Sequence, residues 1–259
     1  MGSQLRVSLV QLSGVWEDKQ ASLLHFGKRL KRLKGKTDLT ILPETFTTGF
    51  SMQAASLAET MDGKTVTILK KWAKEFDFAI AGSFIAEEAG CYYNRAFFVT
   101  PEGACETFDK HHLFRMGREH DFFTAGDARG IVHYLGWNIR LLVCYDLRFP
   151  VWSRNVQNAY DLLIYVANWP TPRAGVWKTL LPARAIENIA FVCGVNRVGT
   201  DGNGLTYSGN SVIYSPKGQK LVLLPAGKET IRTCVLNKNE LDRLREKFPV
   251  WKDADLFSL

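Results

Sequence analysis

A thiol at the tip of a buried strand, just ahead of a polar turn, is in a position where a nucleophile can be exposed to a substrate. Cys144 occupies such a place. It ends the apolar run Ile139-Arg140-Leu141-Leu142-Val143 and is followed at once by Tyr145-Asp146-Leu147-Arg148-Phe149-Pro150. Two charged residues stand at strand ends in the same way. Glu44 follows Leu39-Thr40-Ile41-Leu42-Pro43, and Lys110 follows Glu106-Thr107-Phe108-Asp109, the strand beyond the turn at Pro101-Glu102-Gly103. If the strands run parallel within one sheet system, a base, a cation and a thiol converge at one edge, which is the equipment of nucleophilic catalysis. Taken singly, each residue reads more simply as a structural cysteine or a solvated charge.

The elements that must position these residues alternate along the chain. Apolar runs predict strands over 6–11, 39–42, 78–84, 93–99, 131–134, 139–144, 162–167, 189–195, 211–214 and 231–236. Helical patterns cover 19–33, 65–76, 150–158, 177–188 and 238–248. The runs Leu162-Leu163-Ile164-Tyr165-Val166 and Phe191-Val192-Cys193-Gly194-Val195 are continuously apolar, as burial of both sheet faces produces. The class is α/β with layered sheets and helices. Pro101-Glu102-Gly103 and Pro216-Lys217-Gly218 read as hairpin ends. The glycine-rich stretch from Gly199 to Gly204 lacks the strand, GxGxxG and helix order of a dinucleotide site and reads as a loop.

No linker or shift in composition divides the 259 residues, which read as one domain spanning 1–259. Hydrophobic residues make up 46% of the chain and charged residues 23%, ample for a core and ordinary for a globular protein. The net charge of +7 is densest in Lys28-Arg29-Leu30-Lys31-Arg32-Leu33-Lys34-Gly35-Lys36. With Leu23, Leu24, Phe26, Leu30 and Leu33 at helical spacing, that cluster reads as the solvated face of an amphipathic helix, so no nucleic-acid or membrane partner is expected. Five widely spaced cysteines without a CxxC pair argue against a disulfide framework and for a reducing cytoplasm. Cys193, inside an apolar run, reads as core. The first strand begins close to Met1 with no leader ahead of it, Arg6 stands where a myristoylation signal wants Ser or Thr, and no run is long enough to span a membrane. His111 and His112 suggest no metal, since neighbours on an extended segment point to opposite sides and no ligand cluster accompanies them.

The segments Leu42-Pro43-Glu44-Thr45-Phe46, Asp109-Lys110-His111-His112-Leu113-Phe114 and Val143-Cys144-Tyr145-Asp146-Leu147-Arg148-Phe149-Pro150, in that order, resemble the Glu, Lys and Cys motifs of the nitrilase superfamily of carbon-nitrogen hydrolases. Glu119, and the helix Leu181-Pro182-Ala183-Arg184-Ala185-Ile186-Glu187-Asn188, add to the match, which runs from the first strand to about Leu236. The resemblance implies a four-layer αββα sandwich, two mixed sheets face to face with helices outside, no cofactor, and at least a homodimer paired by helical layers near Cys144. It implies Cys144 as nucleophile passing through a thioester, Glu44 as general base, and Lys110 as oxyanion stabiliser or proton donor. The backbone N–H of Tyr145 is the expected second oxyanion donor. Glu119 resembles a fourth residue that bonds near the lysine and helps to position substrate.

Tyr145-Asp146 stands where true nitrilases usually carry Trp-Glu, and the chain ends soon after Trp251. Both features favour the amidase branch, and Cys-Tyr-Asp-Leu-Arg-Phe-Pro is most similar to omega-amidases. These hydrolyse the terminal amide of 2-oxoglutaramate and 2-oxosuccinamate, and a bacterial branch of them is associated with methionine salvage and glutamine transamination. Such substrates carry a carboxylate, for which Arg148 and Arg173 are candidate partners. The plainer reading of Arg148 is a salt bridge to a buried acid. Phe46, Phe50, Tyr145 and Trp169 are expected to wall a small pocket, or else simply to pack. The alternatives are an N-carbamoyl-amino-acid amidohydrolase, a deaminated glutathione amidase, and a non-enzymatic basic interaction protein on the same scaffold.

Overall fold

The computed structural model describes residues 3–255. Met1 and Gly2, on which the lipidation reading bears, and residues 256–259 lie outside it. In chain order the strands are β1 (Gln4–Gln11), β2 (Leu39–Ile41), β3 (Ala79–Glu88), β4 (Cys91–Val99), β5 (Cys105–Asp109), β6 (Val132–Tyr134), β7 (Trp137–Val143), β8 (Leu162–Ala167), β9 (Phe191–Asn196), β10 (Val198–Thr200), β11 (Thr206–Ser208), β12 (Val212–Tyr214), β13 (Lys220–Leu223) and β14 (Thr230–Asn237). The α-helices are α1 (Lys19–Leu30), α2 (Ala54–Leu57), α3 (Lys64–Phe76), α4 (Pro150–Ser153), α5 (Ala174–Asn188) and α6 (Lys238–Lys247).

One six-stranded sheet has the order β14-β1-β2-β3-β4-β5 and the other β13-β12-β9-β8-β7-β6. Each has a parallel centre, β1-β2-β3 and β7-β8-β9, with antiparallel strands outside it. Parallel neighbours need a crossover, and helices supply it: α1 and α3 in the first sheet, α4 and α5 in the second.

Side-chain alternation builds the layers. Ile139, Leu141 and Val143 of β7 face the other sheet together with Ile164, Val166, Cys193, Leu9, Ile41, Ala81 and Phe98. Leu142, Leu163, Tyr165 and Val192 face outward and pack under Trp177, Leu181 and Ala185 of α5. On the far side Phe78, Ile80, Phe84 and Phe97 meet Leu23, Phe26 and Leu30 of α1 and Val66, Leu69 and Ala73 of α3. The result is the expected αββα sandwich, and burial on both faces explains why the central strands lack polar alternation.

Two expected elements differ in detail. In α1 the buried stripe is Leu23, Phe26 and Leu30, while Leu24 lies outside it and is 61% exposed. The helix expected over 150–158 stops at Ser153, and a 3-10 turn, Val156–Asn158, follows. Asn155 is the cause. Its backbone N–H donates to Asn188 Oδ1 at 2.8 Å and its side chain to the Tyr160 carbonyl at 3.0 Å, bonds that compete with the helix ladder.

Candidate active site

Glu44 leaves β2 behind Pro43, and Lys110 follows β5, which runs in the same direction as β2 because two antiparallel pairings separate it from β3. Both side chains are buried. Lys110 Nζ lies 3.0 Å from Glu44 Oε1 and 2.9 Å from Glu119 Oε2, and Phe50 presents its ring 5.0 Å away. The second sheet delivers Cys144 from β7 into the same cavity. The three expected residues and Glu119 therefore meet at one seam, at the carboxyl ends of the strands.

The turns at Glu44 and at Cys144 both have left-handed backbone. Thr45, next to Glu44, has φ +39° and Cys144 has φ +45°. Such conformations cost about 1–3 kcal/mol each and persist only where the surroundings impose them. At the first turn, the Thr45 N–H donates to Ser83 Oγ at 2.8 Å, and Asn168 Nδ2 donates to the Glu44 carbonyl and to Thr45 Oγ1. At the second, buried Asp146 accepts from the Val143 N–H at 3.0 Å and from both the N–H and the Nδ1–H of His112, at 2.9 and 2.8 Å. Arg184 of α5 donates to the Leu147 carbonyl at 2.8 Å. Asp146 thus ties the cysteine turn to the lysine loop, and Arg184 accounts for part of the Ala-Arg-Ala-Ile-Glu-Asn motif. Tyr145 sits in the first residues of the 3-10 turn Cys144–Arg148, where backbone N–H groups have no partner within the turn.

The histidines are not splayed to opposite sides as expected. Their rings are 4.5 Å apart, with His111 stacked on Trp152 at 3.7 Å and His112 on Phe149 at 3.6 Å. The turn after Lys110 folds both rings onto the cysteine segment.

Electrostatics set the resting state. Burial pushes the Cys144 thiol well above its ordinary range, the Glu44 carboxylate adds to this, and Lys110 only partly opposes it. Burial works against the Lys110 ammonium, yet Glu119 and Glu44 outweigh it, and the pKa of Lys110 is raised. Burial also raises Glu119, against the pull of Lys110. A thiol raised in this way needs a base to take its proton before it can attack a substrate.

The cavity holds about 230 Å³, below the range of about 300–1,000 Å³ usual for drug-sized ligands. Phe50, Tyr145 and Trp169 line it as expected, but Phe46 does not. That ring packs on Phe26 and Phe97 in the outer apolar layer. Arg148 and Arg173 both line the cavity. The Arg148 guanidinium lies 5.5 Å over Trp169 and that of Arg173 lies 5.1 Å over Phe114. Among the described residues neither has a carboxylate partner, so the buried-acid reading of Arg148 is not what the structure contains.

Sequence reasoning missed one wall and three polar residues. The glycine-rich stretch is part of a hairpin, β10 paired with β11, which places Asp201, Asn203, Leu205 and Tyr207 on the cavity. Three-residue strands rich in glycine leave no periodic signal. Asn168 N–H donates to Glu44 Oε2 at 2.7 Å, and Asn94 Nδ2 to Glu44 Oε1 at 2.7 Å. Asn94, like Ser83, interrupts an otherwise apolar strand face, and that interruption was the available signal.

A paired-sheet sandwich with a buried Glu-Lys-Glu cluster beside a strand-end cysteine defines a hydrolase of carbon-nitrogen bonds. The chain belongs to the carbon-nitrogen hydrolase family, whose model it matches over residues 6–246. It is 47% identical over 255 residues to omega-amidase YafV of Escherichia coli (strain K12), covering 98% of each chain. It is 35% identical over 221 residues to a 2-oxoglutaramate amidase of Bacillus subtilis (strain 168), covering 83% of this chain and 84% of that one. Among solved structures it is similar to a CN-hydrolase superfamily protein of Xanthomonas campestris that has an arsenic adduct in its active site. The two share 45% identity at a TM-score of 0.97, with all of both chains covered.

Proposed function

We propose that the protein is an omega-amidase that hydrolyses the terminal amide of a small 2-oxo acid, 2-oxoglutaramate or 2-oxosuccinamate, to the dicarboxylate and ammonia. The observation that carries this reading is one small cavity in which Cys144, Glu44 and Lys110 stand with Arg148 and Arg173, two arginines for which no acid partner is found among the described residues. Likeness over nearly the full length to an omega-amidase supports it. Glu44 takes the proton of Cys144 as sulfur attacks the amide carbon, and Lys110 with the Tyr145 N–H stabilises the oxyanion. Collapse breaks the C–N bond, Glu44 returns the proton to nitrogen, and ammonia leaves a thioester. Glu44 then deprotonates water for the second attack, and the proton goes back to sulfur as the acid departs. Glu119 holds Lys110 in place, and Arg148 or Arg173, each backed by an aromatic ring, receives the substrate carboxylate.

The coarser setting follows from the same reading. A single catalytic domain fits the core shared by both sheets. No helix of the described residues is long and apolar enough to cross a membrane, and a cytoplasmic site of action remains part of the proposal. A homodimer through the layer of α4 and α5 is supported by Val151 and Ile186, which are 48% and 55% exposed there. Transamination of glutamine yields the proposed substrate, which suits a place beside methionine salvage. The test is ammonia release from 2-oxoglutaramate by wild type and Cys144→Ala, beside glutamine, a carbamoyl amino acid and a simple nitrile. Turnover of the oxo-amide that the substitution abolishes is expected, and turnover of a different compound would replace the substrate.

A further inference from the structure

Glu44 turns Oε1 toward Lys110, 3.0 Å from Nζ, and Glu119 turns both of its oxygens there, Oε1 at 3.0 Å and Oε2 at 2.9 Å. An ammonium is a point charge with rotatable donors, so it attracts both carboxylates without fixing the rotation of either. A fourth group does. Asn94 Nδ2 lies 2.7 Å from Glu44 Oε1 and 3.4 Å from Glu119 Oε1, and Asn94 is fully enclosed.

The way the Asn94 amide faces is itself determined. Ser83 Oγ accepts the Thr45 N–H at 2.8 Å and has its own proton to give to Asn94 Oδ1, 2.9 Å away. The opposite flip would set a carbonyl oxygen 2.7 Å from a carboxylate oxygen with no donor between them. Ser83 and Asn94 also stand where the inward face of the first sheet changes character. That face runs Ala79, Ala81, Ser83 on β3 and Phe98, Ala96, Asn94 on β4, apolar until it reaches the edge that carries Glu44. With Asn168 N–H on Oε2, both oxygens of Glu44 are pinned, one from each sheet.

We propose that Asn94 is a positioning residue, set by Ser83, that fixes the rotation of the Glu44 carboxylate relative to the Cys144 thiol. This rests on the reading of Glu44 as the base. A small misplacement of a catalytic group costs on the order of 100-fold in rate while leaving substrate binding intact.

The experiment compares Asn94→Leu, Ser83→Ala and the double variant with wild type and Cys144→Ala. Readouts are kcat and KM on 2-oxoglutaramate, the rate of Cys144 alkylation by iodoacetamide, and Tm. Asn94→Leu is expected to lower kcat roughly 100-fold with KM within about twofold, and to slow alkylation about 10-fold. Ser83→Ala should move both in the same direction by about 3–10-fold, and the double variant should be no slower than Asn94→Leu, because the two act as one unit. Wild-type kcat and alkylation in folded Asn94→Leu would overturn the proposal, as would a loss confined to KM. If Asn94→Leu does not fold, Ser83→Ala decides, and wild-type behaviour there overturns it equally. Turnover by Cys144→Ala would instead sink the catalytic assignment, and alkylation reads Glu44 whatever the substrate proves to be.

Discussion

At Cys144 the physical problem is a thiol whose proton is hard to remove. Enclosure raises its pKa above the ordinary 9.0, so the thiolate fraction at any given pH is lower than for an exposed cysteine. Glu44→Gln removes the proposed base and one of the raising influences but leaves burial, the largest, in force. Alkylation of that variant by iodoacetamide should therefore keep accelerating as pH rises through 9, and a plateau near pH 8.5 would contradict the assigned environment. The arginines pose a different question. Arg148 and Arg173 are each held over an aromatic ring with no acid partner among the described residues, so if one of them receives the proposed substrate carboxylate it should show itself in KM. Loss of a charge-assisted hydrogen bond of about 1.5–3 kcal/mol corresponds to roughly 10–100-fold in KM at little cost in kcat. Measuring Arg148→Ala and Arg173→Ala side by side assigns the role, and unchanged KM in both would remove the carboxylate from the proposal.

Strand ends, rather than helices, carry the chemistry, and that is why so much of it was legible. An apolar run that ends abruptly at Glu44 or Cys144 announces both the strand and its tip, and Lys110 is placed by the turn at Pro101-Glu102-Gly103 that opens its strand. What could not be read is what holds those tips together. Asn94 reaches Glu44 across fifty positions and Asn168 reaches it across 124, bonds that no local pattern encodes. The hairpin of β10 and β11 was invisible for the opposite reason, being too short and too rich in glycine to show a period. Gly202 there leaves no room for a side chain, since a Cβ would come within 2.2 Å of the Trp16 indole. The early stop of α4 was hidden because Asn155 finds its partners on a later helix and on the loop that enters β8. Among the unread ties Asp146 is the most consequential for the element that carries the nucleophile. Asp146→Ala removes the acceptor of three hydrogen bonds, two of which join the cysteine turn to the lysine loop, leaving Cys144, Glu44 and Lys110 themselves untouched. A fall in kcat of about 100-fold, in a protein that keeps its secondary structure by circular dichroism, is the expected outcome. Wild-type turnover would show that the turn holds its left-handed Cys144 by other means.

At the scale of the molecule, two sheets share a dry layer in which Ile164, Val166, Leu141 and Ile41 are buried. Truncating one of them, as in Ile164→Ala, opens a cavity at a cost of about 2–5 kcal/mol, to be read as a lower Tm. Unchanged Tm would mean that the sheets close up around the gap. The positive charge, by contrast, lies mostly outside this architecture. Lys28, Lys31, Arg32 and Lys36 are exposed around the end of α1, on the outer side of the first sheet, remote from the chemistry.

The proposed base and its lysine arrive on one sheet and the proposed nucleophile on the other, and Asn168 reaches across the seam to Glu44. Activity is therefore a gauge of how the two halves of the sandwich are docked. Warming, denaturant or a wedge in the shared layer that lets the sheets slide should silence the thiol while each sheet still has its hydrogen bonds. A molecule built this way has no means of being half assembled and half active.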